Sequence, residues 1–118
     1  MMGRFISKTG FMVPILAILV AVSATPSNVL AADAAAGKVK AKKCRNCHGI
    51  DGVAKIPIAP HIAGESEVYL QVQLKAFRTG KRKHEIMSVI AKDLSDADIA
   101  DLAAWYSSIK FTIEMPTD

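Results

Sequence analysis

Residues 44–48 read Cys-Arg-Asn-Cys-His, the densest concentration of reactive side chains in the chain. Two thiols three residues apart can each bond one vinyl group on the same edge of a porphyrin. The histidine that follows is then carried beneath the iron, where imidazole is a good ligand. The bonds are thioethers, which are not reducible as a disulfide is. The C-x-x-C-H spacing is therefore the attachment pattern of c-type haem, with Cys44 and Cys47 as covalent anchors and His48 as the proximal ligand. A thioredoxin-like redox pair would need a βαβ setting, and no segment alternates long enough to be a strand. A zinc site would need four ligands, with only His48, His61, His84 and carboxylates left to complete it.

A haem iron held by His48 needs a partner on its far face. Downstream of the motif stand only two methionines, Met87 and Met115. Met87 lies between two expected helices, where a loop can wrap the haem. Met115 stands three residues from the last residue given, where chains usually fray. Met87 is the expected distal ligand, although a core methionine filling a gap is the ordinary role of this residue type. His84 and His61 are the alternatives. A second imidazole in place of a thioether would give a lower reduction potential.

Helices and loops must position these groups. Asp33 is a good N-cap before Ala34-Ala35-Ala36, opening a first helix that runs to about Arg45. A loop from His48 to Glu65 follows, punctuated by Gly49, Gly52, Pro57, Pro60 and Gly64. The next helix starts near Ser66 and stops at Gly80, a plausible C′ glycine. Its expected buried stripe is Val68, Leu70, Leu74 and Phe77, with Tyr69 and Val72. A short helical piece covers Met87 to Lys92. The last helix is capped by Ser95 with Asp98 three residues on, and Ile99, Leu102, Ala103, Tyr106 and Ile109 mark its inner face. Asp96, Asp98 and Asp101 read as helix-start acids on a solvated face. The expected fold is a small all-α domain whose own apolar residues are too few to fill its centre, a gap that an apolar cofactor would close.

The chain has 118 residues, 51% of them hydrophobic, which is high for one small domain. The excess sits at residues 11–24, an uncharged run preceded by Arg4 and Lys8. Such a run is short of the roughly 20 residues that span a bilayer. It reads as a secretory signal peptide rather than a permanent membrane span. Small residues suit cleavage after Ala24 or after Ala31. The second is preferred, because Asp33 follows it as a helix start. The expected division is thus a signal peptide over 1–31 and a single-haem domain over 32–118, located in the periplasm. So small a domain is marginal without a staple, and a disulfide closing the short Cys44–Cys47 loop would add little.

The formal charge is +4, and loss of Arg4 and Lys8 reduces it further. That is no nucleic-acid-binding composition. The bases nonetheless cluster, as Lys38, Lys40, Lys42, Lys43 and Arg45 and again as Lys75, Arg78, Lys81, Arg82 and Lys83.

Three segments, AAGKVKAKKCRNCHG, PHIAGESEVYLQVQLKAFRTGKRKHEIM and LSDADIADLAAWYSSI, carry a family resemblance over roughly residues 34–109. The chain resembles bacterial class I c-type cytochromes. It is most similar to the branch of periplasmic di-haem cytochromes, their single-haem relatives, and the cytochrome subunit of flavocytochrome c sulfide dehydrogenase. The resemblance implies one covalent haem c on Cys44 and Cys47, with His48 and Met87 as its ligands. It implies that the Pro60 carbonyl accepts the His48 N–H, and that Gly37 and Trp105 meet where the first and last helices cross. It also implies an exposed haem edge near the thioethers as the route for electrons. Two positions depart from the branch, Glu65 for a usual Gln and Ser88 for a frequent second Met.

Two ligands leave iron no open position, so the expected activity is one-electron transfer rather than catalysis. Two roles are compatible with that. One is a diffusing periplasmic carrier whose basic rim docks an acidic redox partner. The other is a tightly held subunit taking electrons from the flavin of a sulfide dehydrogenase. The second would show an apolar patch, with Ile56, Ile58 and the FTIEMP tail as candidates.

Overall fold

The computed structural model describes Gly3 and residues 31–117, and the expected signal-peptide run at 11–24 lies outside them. Five α-helices and no strand occur among the described residues: α1 (Ala34–Lys40), α2 (Arg45–His48), α3 (Glu67–Arg78), α4 (Met87–Lys92) and α5 (Asp96–Ser108). No helix there is long and apolar enough to cross a membrane. The all-α expectation holds, and so do most helix starts. Asp33 caps α1 by accepting the N–H groups of Ala35 and Ala36. Ser66 caps α3, and Gly80 follows its end at φ 74°, a left-handed conformation that suits glycine. Ser95 and Asp98 form a reciprocal capping box on α5.

The first helix is not one run to Arg45. It tightens at Ala41–Lys43 into a 3₁₀ turn and resumes as α2. The tighter turn advances each residue by about 120° instead of 100°. That re-aims the residues following it, which are the C-x-x-C-H motif.

The buried stripe of α3 is narrower than its apolar residues suggest. Leu70 and Phe77 are buried and Leu74 packs beside them, whereas Val68 and Val72 are 72% and 54% exposed. Positions 70, 74 and 77 lie within about 60° of one another on a helix of 100° per residue, but 68 and 72 fall roughly 160° away. Tyr69, between these faces, is also largely exposed. On α5 the expected face is buried at Ile99, Leu102, Ala103 and Tyr106.

The tightest contact between elements is the crossing of α1 and α5. A Cβ at Gly37 would run into the carbonyl oxygen of Asp101 and lie 2.9 Å from Cβ of Trp105. Only glycine permits that approach, so the crossing implied by the resemblance is present. Polar groups fasten the same seam. Lys40 donates to Asp101 at 2.6 Å and pairs with Asp98 at 2.8 Å, and the Asp33 N–H donates to Asp101 at 2.8 Å. These acids are therefore bridges between helices, not merely solvated helix-start residues.

The bonds from Lys40 and then Ser95 hold the Asp98 carboxyl well below the usual carboxylate range. The Asp33 N–H, then Lys40, lower Asp101, and the two carboxylates raise Lys40. Depressed carboxylates stabilise the fold fully above the unfolded-state pKa of about 4, and that contribution is lost as pH falls through the lower folded values. The raised Lys40 contributes below its unfolded pKa of about 10.4 and ceases to only as pH rises through its folded value. The expected melting temperature is flat from about pH 5 to 9 and drops below about pH 4. Because these groups are partly exposed, the effect is modest, and the acid drop should be shallower in Lys40→Met. Identical acid slopes in both proteins would remove the seam as a source of stability.

Candidate haem site

Two short elements and one long loop bring the motif to the centre of the molecule. After the 3₁₀ turn, the His48 N–H donates to the Cys44 carbonyl at 2.9 Å, so the motif itself is helical. The loop that follows is tied back to it, the Lys55 N–H donating to the Cys47 carbonyl at 2.8 Å. From the other side α5 clamps the motif's exit. The buried Tyr106 hydroxyl donates to the Gly49 carbonyl at 3.0 Å, and the Trp105 indole N–H donates to the Ile50 carbonyl at 2.9 Å. The motif is thus held between loop and helix before any cofactor is considered.

His48 is the buried polar side chain of the core, 8% exposed. Its Nδ1 stands 2.9 Å from the Pro60 carbonyl. A carbonyl can only accept, so Nδ1 carries the proton and Nε2 keeps its lone pair. Such a bond fixes the ring and raises its basicity as a ligand. Burial, and secondarily the Cys44 sulfur, hold the Tyr106 phenol above its ordinary value, while burial pushes the Cys44 thiol up. The Tyr106 phenol is therefore neutral near pH 7, as is the Cys44 thiol until haem is attached to it.

Cys44, Cys47, His48, Pro60 and Met87 all line one cavity of about 360 Å³. Its remaining wall is largely apolar, with Leu70, Leu74, Phe77, Ile90 and Leu102. The residues fit a haem. Two free thiols at C-x-x-C spacing, an imidazole with an available nitrogen and a thioether converge on one apolar hollow. The central gap expected from the sequence is this hollow.

The other expected ligand candidates are placed differently. Met115 is 78% exposed on the C-terminal tail. His61 is exposed, and its Nδ1 accepts the Ala54 N–H at 2.9 Å. His84 does line the cavity, but its Nδ1 accepts backbone N–H groups at Ile86 and Met87. Sequence reasoning missed the polar work of Tyr106 and Trp105, which it read only as core. Tyr106 was visible on the inner face of α5 and Trp105 only through the resemblance, but the carbonyls they meet are 57 and 55 residues away along the chain.

The basic clusters also divide. Lys40 is spent on the α1–α5 seam, and Lys38 lies over the Trp105 ring, 5.1 Å from its centre. Arg78 donates to the Leu94 carbonyl and to Asp96. Lys42, Lys43, Arg45, Lys81 and Lys83 remain exposed, and Lys43 and Arg82 border the same cavity from opposite segments of the chain.

Residues 34–110 match the family described as "Cytochrome c". Over 81 residues the chain is 49% identical to cytochrome c-554(548) of Halomonas halodenitrificans, covering 66% of this chain and 98% of that protein. It is 44% identical over 85 residues to cytochrome c4 of Pseudomonas aeruginosa, covering 72% of this chain but 42% of that protein. The crystal structure of reduced recombinant cytochrome c4 from Pseudomonas stutzeri superposes with a TM-score of 0.65 at 38% identity, covering 70% of this chain and 48% of the other. The chain therefore spans nearly the whole of one relative and about half the length of the cytochromes c4.

Proposed function

Since the chain belongs to the cytochrome c family, we propose that it is a diffusing periplasmic carrier of single electrons whose haem is ligated by His48 and Met87. As a member of that family it is an electron-transfer protein, with one haem c bound covalently through Cys44 and Cys47. When bound, that group supplies reversible exchange between Fe(III) and Fe(II). The protein supplies the rest. Pro60 orients His48, the apolar wall excludes water and disfavours the extra charge of Fe(III), and Tyr106 and Trp105 hold the motif still. The reading is carried by one observation, the convergence of both cysteines, His48 and Met87 on a single apolar cavity of about 360 Å³.

Two protein ligands would leave no position open. The expected spectrum of the purified protein is low-spin, with an iron–methionine sulfur band when oxidised and no shift when carbon monoxide is added to the reduced form. A high-spin spectrum, or a carbon monoxide shift, would replace the carrier reading with ligand sensing or catalysis.

Export by a signal peptide over residues 1–31 is part of the same proposal, since that run has the composition of one. The partner is a redox protein with an acidic rim. Lys43 and Arg82 beside the cavity, with Lys42, Arg45, Lys81 and Lys83 exposed nearby in sequence, support this. Such charges steer encounter more than they add affinity. The bimolecular electron-transfer rate should fall about tenfold or more between roughly 0.01 M and 0.15 M salt, as the screening length shortens. A salt-independent rate would exclude electrostatic docking.

A second reading, a held subunit of a flavoprotein sulfide dehydrogenase, is favoured by the exposure of Ile58, Phe111, Ile113 and Met115. Purification from the native source with a flavin-containing chain would select it. Recovery as a free protein selects the carrier.

A further inference from the structure

We propose that His84 and Ser88 are positioning residues for Met87. They lock the backbone on both sides of it and so govern how firmly its sulfur is held on the iron. The inference rests on the reading of Met87 as the distal ligand.

Met87 is the first residue of α4, a helix of only six residues. The first N–H groups of any helix lack partners within it. The residue flanking α4, Ile86, offers no side-chain cap. His84 takes over that task. Its Nδ1 accepts the Ile86 N–H at 3.2 Å and the Met87 N–H at 3.3 Å. Ser88 answers in the other direction. Its hydroxyl oxygen accepts the His84 N–H at 3.1 Å, and its own N–H donates to the His84 carbonyl at 2.9 Å. Four hydrogen bonds therefore close around Met87, with the reciprocity of a capping box, the imidazole taking the place of the N-cap hydroxyl and the Ser88 hydroxyl that of the carboxylate reaching back.

The clamp is itself anchored to α3. The His84 ring meets Phe77 edge-on, 6.4 Å between centres at 74°. Arg82 lies over the Phe77 ring at 4.6 Å, donates to Gln73 at 2.6 Å, and its N–H donates to the Ala76 carbonyl. Without the cap, a helix this short frays from its first residue, which is the one bearing the sulfur.

The same bonds answer why an imidazole can line this cavity without displacing Met87. With Nδ1 accepting, the neutral ring carries its proton on Nε2. Neither nitrogen then offers a free lone pair. Ser88 supplies the hydroxyl that completes the arrangement.

The test uses the haem-loaded protein and compares His84→Ala, His84→Phe, His84→Asn and Ser88→Ala with Met87→Ala. The readouts are the iron–methionine band of the oxidised form and carbon monoxide affinity of the reduced form. His84→Ala and His84→Phe should keep covalent haem, lose much of the band, and bind carbon monoxide about tenfold or more tightly, the usual scale for removing an outer partner of a ligand. His84→Asn should restore both readouts, because its amide oxygen can accept the same N–H groups. Ser88→Ala should move them less, in the same direction. Wild-type behaviour in His84→Phe would reduce the ring to packing on Phe77 and overturn the proposal, as would failure of the Asn rescue. A band that disappears in Met87→Ala but persists in His84→Ala, His84→Phe and Ser88→Ala overturns the clamp alone. A band that survives Met87→Ala overturns the ligand assignment, and the clamp with it.

Discussion

Replacing Cys44 and Cys47 together by alanine should give a chain that retains no haem after denaturation and no longer melts cooperatively. Both cysteines border the cavity that separates α3 and α4 from the motif. Were it enclosed, an apolar hollow of 360 Å³ left unfilled would cost about 9 kcal/mol, at roughly 24 cal/mol per Å³, and its open mouth makes that an upper bound. That equals most of the stability available to a domain of this size, about 5–15 kcal/mol. The rest of the core cannot compensate, since Ile99 is the single large side chain among the described residues with under 2% of its surface exposed. Covalent attachment therefore acts on folding as well as on electron transfer. The single variants should separate the two thioethers. Each retained vinyl group extends the conjugation of the porphyrin, so Cys44→Ala or Cys47→Ala alone should shift the reduced band to longer wavelength while the haem stays bound. Haem staining of a denaturing gel and circular dichroism read the outcome. A double variant that melts like wild type and holds no haem, covalent or extractable, would mean that the protein's own side chains fill its centre, contrary to the cavity's size.

Much of this was legible from local chemistry. C-x-x-C-H is a short-range signal whose function depends on spacing alone, so Cys44, Cys47 and His48 could be assigned without knowing any contact. Ser66, Ser95 and Asp98 were legible for the same reason, because a cap is decided within three or four residues. Pro60 and Gly37 were not readable from pattern. Their roles are a carbonyl beneath an imidazole and a missing Cβ at a crossing, and both came from family resemblance. The errors fall where a local rule meets a distant partner. Val68 and Val72 are apolar, yet the angular position of Leu70, Leu74 and Phe77 decides which side of α3 is buried. Asp98 and Asp101 obey the helix-start preference and also reach Lys40, some 60 residues away, which no periodicity reveals. The break at Ala41–Lys43 is invisible in propensity, because Ala-Lys-Lys favours a helix, and only the need to present Cys44 and His48 to the cavity distinguishes it.

Met87→His should lower the reduction potential by about 0.2 V while leaving the haem covalently attached, given that axial ligands and their surroundings move haem potentials over roughly 0.8 V. Attachment is unaffected because Cys44 and Cys47 belong to a different segment, fastened by Tyr106 and Lys55 rather than by α4. The potential changes because thioether sulfur is a soft ligand that favours Fe(II), whereas a second imidazole relatively favours Fe(III). At 59 mV per decade for one electron, a fall of about 0.2 V is three to four decades in the relative affinity of the two iron states for the ligand. Stability moves little, since Met87 is only partly buried and its helix packs through Ala91. The variant should stay low-spin yet lose the iron–sulfur band, and Met87→Ala should instead bind carbon monoxide. Met115→Ala, on the exposed tail, should leave spectrum and potential as they are. Redox titration of the three variants decides the matter. If Met87→His keeps the wild-type potential, the sulfur of Met87 does not reach the iron and another group closes the site. The carrier reading would then have to rest on that other ligand, with His84, once released from the Ile86 and Met87 N–H groups, as a donor on the same cavity.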